Sequence, residues 1–126
     1  MDATVLITGA TGGIGRSVAE SFTADGWRVV APTRSRSTQP SEPGVVFPQA
    51  DLSDAAAVRR VVEMAASDTS VPLRALVNLI GGYAGGARVQ ETPIEDFERQ
   101  FTLNLRPTYQ PSEAISGAAI PVYGRA

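Results

Sequence analysis

The octapeptide Thr8-Gly9-Ala10-Thr11-Gly12-Gly13-Ile14-Gly15 constrains the fold of this chain more than any other stretch. It separates the apolar run Val5-Leu6-Ile7 from a helical pattern that begins at Ile14. Here the chain must turn sharply out of a strand, let a bulky anion approach its backbone and start a helix packed close to a sheet, and a Cβ atom would obstruct each step. The open N–H groups and partial positive charge at the start of such a helix favour a pyrophosphate. Glycines used only to pack a strand-to-helix turn are the alternative. Thr4–Thr8 is β-rich and uncharged, as expected of a central parallel strand covered on both faces. Ile14, Val18 and Phe22 form an apolar stripe at helical spacing, and Gly26 offers a left-handed cap, so this helix should end near Asp25.

A second strand is expected over residues 27–31, with the Pro/Ser/Arg-rich segment 32–44 as a loop. Strand, helix and strand in this order assemble through a right-handed crossover. Val45-Val46-Phe47 opens a third strand that reaches Asp51-Leu52, and Ser53 is the expected cap of a helix whose stripe is Val58, Val61, Val62 and Ala65. Residues 73–79 make a fourth strand. Thr92-Pro93-Ile94-Glu95 reads as a helix start with Thr92 as N-cap, Pro93 as first helical residue and Glu95 completing a capping box, which turns Ile94, Phe97 and Phe101 toward the core. Pro107 and Pro111 then make a regular continuation costly.

Composition narrows the chemistry. A chain of 126 residues is expected to form a single dinucleotide-binding domain over 1–126, too short for a separate substrate domain. With Lys+Arg 11 against Asp+Glu 13, dispersed along the chain, no basic field for nucleic acid is present. No apolar run approaches the ~18 residues of a membrane span, and Met1-Asp2-Ala3 lacks a cationic leader start, so a cytoplasmic location is expected. Cys, His and Lys are all missing. Disulfides, thiolate or imidazole metal ligands, a Ser-His pair and a Schiff base are thereby excluded, and no metal site is expected. Carboxylates, hydroxyls and arginines remain, together with whatever a cofactor supplies.

The spacing Gly9-x-x-x-Gly13-x-Gly15 after Thr8 differs from G-x-G-x-x-G and resembles the T-G-x-x-x-G-x-G of short-chain dehydrogenases/reductases. Three further segments follow in the family's order. Asp51-Leu52 matches an Asp-apolar pair that contacts adenine there, although Asp51 could equally serve to order its turn. Leu76-Val77-Asn78-Leu79-Ile80-Gly81 resembles L-V-N-N-A-G, with Leu79 in place of one asparagine. Asn104 falls where the family has an asparagine that holds a water in a proton relay, and a purely structural role is the alternative. The resemblance implies a Rossmann-like doubly wound α/β sheet in the order 3-2-1-4. It implies cofactor contacts from Gly9, Thr11, Gly12, Gly13, Ile14, Gly15, Asp51, Leu52, Asn78 and Gly81. Asn78, in an apolar central strand, should hydrogen-bond to neighbouring backbone and support the sheet beside the nicotinamide ribose.

Nothing between Asp25 and Glu42 is acidic, so the residue that would bind the ribose 2′-hydroxyl of NAD about 20 positions beyond the glycines is missing. Arg34 and Arg36 stand there instead. A guanidinium pairs bidentately with a 2′-phosphate, which points to NADP(H) over NAD(H), with Arg34 first and Arg36 second; solvated arginines on a loop are the other reading.

Beyond Asn104 the family pattern calls for a strand ending in a catalytic Ser and then Tyr-x-x-x-Lys, neither of which is found; four positions after Tyr83 and Tyr109 stand Ala87 and Glu113. The residues from Ser116 to Gly124 resemble the family's final strand, as if an internal deletion joined the chain near residues 114–116; an unrelated strand, or loss of a middle segment, would look the same. The tail strand, residues 118–123, is expected beside the fourth strand or paired with another chain, which would make a homo-oligomer. Three functional readings follow: an NADP(H)-binding domain that is weakly active or inactive, a carbonyl reductase completed by segments outside this chain, and a Rossmann-like scaffold that binds no nucleotide.

Overall fold

A computed structural model describes residues 2–35 and 42–117. Its elements are β1 (Thr4–Thr8), α1 (Gly13–Ala24), β2 (Arg28–Val30), β3 (Val45–Val46), α2 (Ala55–Ala66), β4 (Leu73–Asn78), α3 (Ile94–Asn104) and α4 (Arg106–Gly117), with a 3-10 turn at Val89–Glu91. The strands form one sheet in the order β3-β2-β1-β4, all pairs parallel, as expected. The tail strand and Arg36 lie outside the described residues.

Alternation along β1 explains the layering. Val5 and Ile7, with Val29 of β2, point to one face, where Val18, Ala19 and Phe22 of α1 cover them. Leu6, with Val30, points to the other, where Val58, Val61, Val62 and Ala65 of α2 and Ile115 of α4 pack. Every residue of β1 is buried, as a central strand requires. Thr4 remains satisfied there by donating its hydroxyl to the Val71 carbonyl at 2.6 Å. Phe22 and Trp27 close the end of α1 with an edge-to-face contact at 5.2 Å.

Several expectations need correction. The third strand is only Val45–Val46, and beyond Pro48 a single parallel bridge, Thr33 to Gln49, replaces the ladder expected to reach Asp51; proline has no N–H to extend it. Asp54, not Ser53, caps α2, accepting from the Ala56 N–H at 3.1 Å. Helix α3 starts at Ile94 with Pro93 at its N-cap and no side-chain cap, because the Thr92 hydroxyl donates instead to the Arg88 carbonyl at 2.8 Å. Ile14 is 74% exposed, and Ile94, Phe97 and Phe101 are 62%, 63% and 54% exposed, so none of the four is in the core. Helix α3 packs mainly on α4 and does not cover the sheet. The chain breaks helix at Leu105 but resumes it in α4, which holds Pro111 in its interior and includes Ser116 and Gly117, residues expected to lead into the tail strand. Pro111 is fully buried, so packing offsets the backbone bond it cannot donate.

Candidate active site

The C-terminal ends of β1 and β4 meet where the strand order reverses, since β1 leads through α1 to one side and β4 arrives from the other. In open α/β sheets this crevice is where ligands bind. The Thr8 hydroxyl reaches Asn78 Oδ1 at 3.3 Å, and the Leu79 N–H continues the ladder to the Thr8 carbonyl at 3.0 Å.

Two of the glycines are structural in a definite sense. Gly9 has φ +75°, and a Cβ there would lie 2.7 Å from the Leu79 carbonyl carbon and 2.9 Å from the Ile80 nitrogen, so the loop rests on the backbone that leaves β4. A Cβ on Gly15 would strike the Gly9 carbonyl and Ala10 backbone, which sets how closely α1 approaches the loop. Gly13 is different: its Cβ would meet nothing within 4 Å. The first turn of α1 carries no acidic residue, and Gly12 at the N-cap makes no side-chain cap bond. Thr11, Gly12, Gly13 and Ile14 are exposed. The result is a bare helix N-terminus facing open space, a cradle that fits a pyrophosphate.

Asp51 is exposed beside Leu52, which is buried. Its Oδ1 accepts from the Ser53 hydroxyl at 2.7 Å and the Ser53 N–H at 2.9 Å. These two bonds, the hydroxyl's first, hold its carboxyl below the usual aspartate value, and Arg34 lowers it further. Asp51 therefore orders its turn while lying within the field of Arg34.

Asn78 corrects the expectation of backbone partners. Its Nδ2 donates to Ser112 Oγ at 3.4 Å, and that hydroxyl donates to the Thr108 carbonyl at 2.6 Å. The strand is thus tied to α4 by side chains. Asn104 ties α3 to the loop after β4: its Oδ1 accepts from the Gly82 N–H at 2.9 Å, and its Nδ2 donates to the Gln100 carbonyl at 3.0 Å. A Cβ on Gly81 would lie 2.9 Å from the same Oδ1.

A cavity of about 270 Å³ opens at this edge, lined among others by Pro32, Arg34, Leu52, Ile80, Arg99 and Leu103. Its size is near the lower end for ligand pockets and suits one part of a dinucleotide. A larger groove of about 570 Å³ runs between α2 and α4, and none of the expected site residues lines it. Arg34 and Leu52 therefore share a cavity. Ile80, whose backbone Gly9 touches, joins that cavity to the glycine loop. Sequence reasoning missed Arg99 and Leu103 as lining residues, because their approach to this cavity depends on how α3 packs. Among the described residues no cluster of acidic side chains could hold a metal ion, and no helix is long and apolar enough to cross a membrane.

Comparison with known proteins agrees with this fold. Residues 3–120 match the family model described as short chain dehydrogenase. The chain is 33% identical over 112 residues to the probable oxidoreductase EphD of Mycobacterium tuberculosis, covering 82% of this chain and 19% of that protein. It is 34% identical over 122 residues to carbonyl reductase [NADPH] 2 of Sus scrofa, covering 91% of this chain and 46% of the relative. The chain thus spans less than half the length of either protein. The solved structure of ElxO with NADP bound superposes with a TM-score of 0.77 at 26% identity, covering 90% of this chain and 49% of that one.

Proposed function

The chain belongs to the short-chain dehydrogenase family, and from that premise we propose that it is the NADP(H)-binding portion of an oxidoreductase acting on a small carbonyl compound. The observation that carries this reading is the bare first turn of α1, where Gly12 and Gly13 leave the helix N-terminus open to an anion. The pyrophosphate would rest there on backbone N–H groups, with the adenosine end in the cavity of Arg34 and Leu52 and the nicotinamide ribose near Asn78 and Gly81. Thr8 and Ser112 hold the Asn78 amide, and Asn104 holds the loop that begins at Gly81. When bound, the nucleotide supplies or accepts a hydride. The protein's part is to bind and orient it, with Asn104 holding the loop that carries Gly82.

Arg34 selects the phosphorylated nucleotide in this reading. A charge-assisted bond contributes about 1.5–3 kcal/mol, so the preference for NADPH over NADH should be roughly tenfold to hundredfold. Titration followed by nicotinamide fluorescence tests this. Arg34→Ala should erase most of the preference and leave NADH affinity nearly unchanged, and equal affinities in the unmodified chain would refute the assignment.

With no lysine in its 126 residues the chain contains no Tyr-x-x-x-Lys. A positioned general acid contributes typically ~10²–10⁴-fold, so this chain alone should turn over carbonyls poorly. A second reading, a competent reductase completed by segments outside this chain, is favoured by its covering only 46% of the carbonyl reductase. NADPH oxidation by this chain alone with a panel of aldehydes, ketones and quinones tests the expected poor turnover, with Gly13→Trp as the blocked-site control. Multiple turnovers that vanish in that variant would show a complete catalyst.

A further inference from the structure

Charge in the cavity at the sheet edge is not balanced for a dianion by Arg34 alone. A second arginine, Arg99 of α3, lines the same cavity. Among the described residues it pairs with Asp96, one turn back on the helix, at 3.3 Å, and the arginine side chain is 73% exposed. An exposed i,i+3 pair of this kind contributes little and is readily exchanged for a better partner. Leu52, Ile80 and Leu103 give the cavity an apolar part of its wall that suits a base, while the arginines supply charge.

We propose that Arg99 is a second specificity-determining residue, which leaves Asp96 to pair with the adenosine 2′-phosphate opposite Arg34. A phosphate monoester carries about −1.5 to −2 charges at neutral pH, so two guanidiniums match it where one does not. The inference rests on the nucleotide-binding reading above and adds α3 to the site. It also assigns Asp96 a restraining role: by holding Arg99 it lowers the affinity that Arg99 confers.

Isothermal titration of the full chain with adenosine 2′,5′-bisphosphate and with 5′-AMP tests the proposal without any catalytic readout. Arg99→Ala should weaken the bisphosphate by roughly tenfold and change 5′-AMP by less than about twofold. Asp96→Asn should tighten the bisphosphate by about twofold to fivefold, in line with the small energy of an exposed pair. Circular dichroism should be unchanged in both variants, since neither side chain is in the core. Unaltered bisphosphate affinity in Arg99→Ala, with Arg34→Ala still weakening it, would overturn the role of Arg99 alone. An equal loss of both probes would place Arg99 on the base and also overturn it. No binding of either probe by the unmodified chain would overturn this proposal and the nucleotide-binding reading together.

Discussion

Alanine at Gly15 should destabilise the chain, whereas alanine at Gly13, two residues earlier on the same helix, should not. An ideal Cβ at Gly15 falls on the Gly9 carbonyl oxygen, 2.5 Å from Ala10 Cα and 2.8 Å from the Ala10 carbonyl carbon. Carbon contacts are comfortable at about 3.5–4.0 Å, so α1 would have to withdraw from the loop by roughly 1 Å. The obstructing atoms are all backbone, so no rotamer change relieves the clash, and the cost should lie near the top of the ~1–3 kcal/mol range for overpacking. Alanine's helix preference returns at most ~1 kcal/mol. The net loss is about 2 kcal/mol, which for a domain of this size lowers Tm by roughly 6–12 °C. At Gly13 the added methyl enters open space, and the change should stay within about 0.5 kcal/mol. Urea and thermal unfolding of the unmodified chain and the two variants, monitored by circular dichroism, measure the difference. A Gly15→Ala variant within about 0.5 kcal/mol of the unmodified chain would refute the reasoning, as would equal losses at the two positions. If the space above Gly13 receives a pyrophosphate, Gly13→Ala should in addition weaken NADPH binding while leaving stability intact.

Two other perturbations probe the site's supports. The Asp51 carboxyl is held below its ordinary value by Ser53 and Arg34, so its stabilising contribution is complete above the unfolded value near 3.9 and is lost as pH falls through the lower folded value. Asp51→Asn should therefore differ from the unmodified chain at neutral pH and converge with it in acid, and a difference independent of pH in urea titrations would contradict this. Asn104→Ala removes the acceptor of the Gly82 N–H and should cost about 1–2 kcal/mol, with faster hydrogen exchange at the Gly82 amide; unchanged exchange there would show that Asn104 does not hold the loop.

The order of the sheet and the position of the glycine loop were legible in the sequence because both depend on local, strongly patterned residues. An uncharged run such as Thr4–Thr8 can be satisfied only between two covering layers, and Gly26 with φ +82° ends α1 as a glycine there should. Caps were less legible. Ser53, Asp54 and Thr92 can each bond several nearby N–H or C=O groups, and the partner chosen depended on the turns made by Asp51 and Arg88. The apolar stripe of α3 declared that one face of the helix prefers cover, but periodicity does not say what supplies it. Its place against α4, outside the footprint of the sheet, left Phe97 and Phe101 exposed. The partners of Asn78 and the sharing of one cavity by Arg34 and Arg99 were beyond any sequence pattern, because each brings together residues 34 or more positions apart in the chain. By itself the sequence determined where backbone had to lie bare and which strands had to be buried. Tertiary structure decided which side chains converge on that edge, because convergence depends on how α3 and α4 settle on the sheet, and that is a property of packing between elements rather than of any one of them.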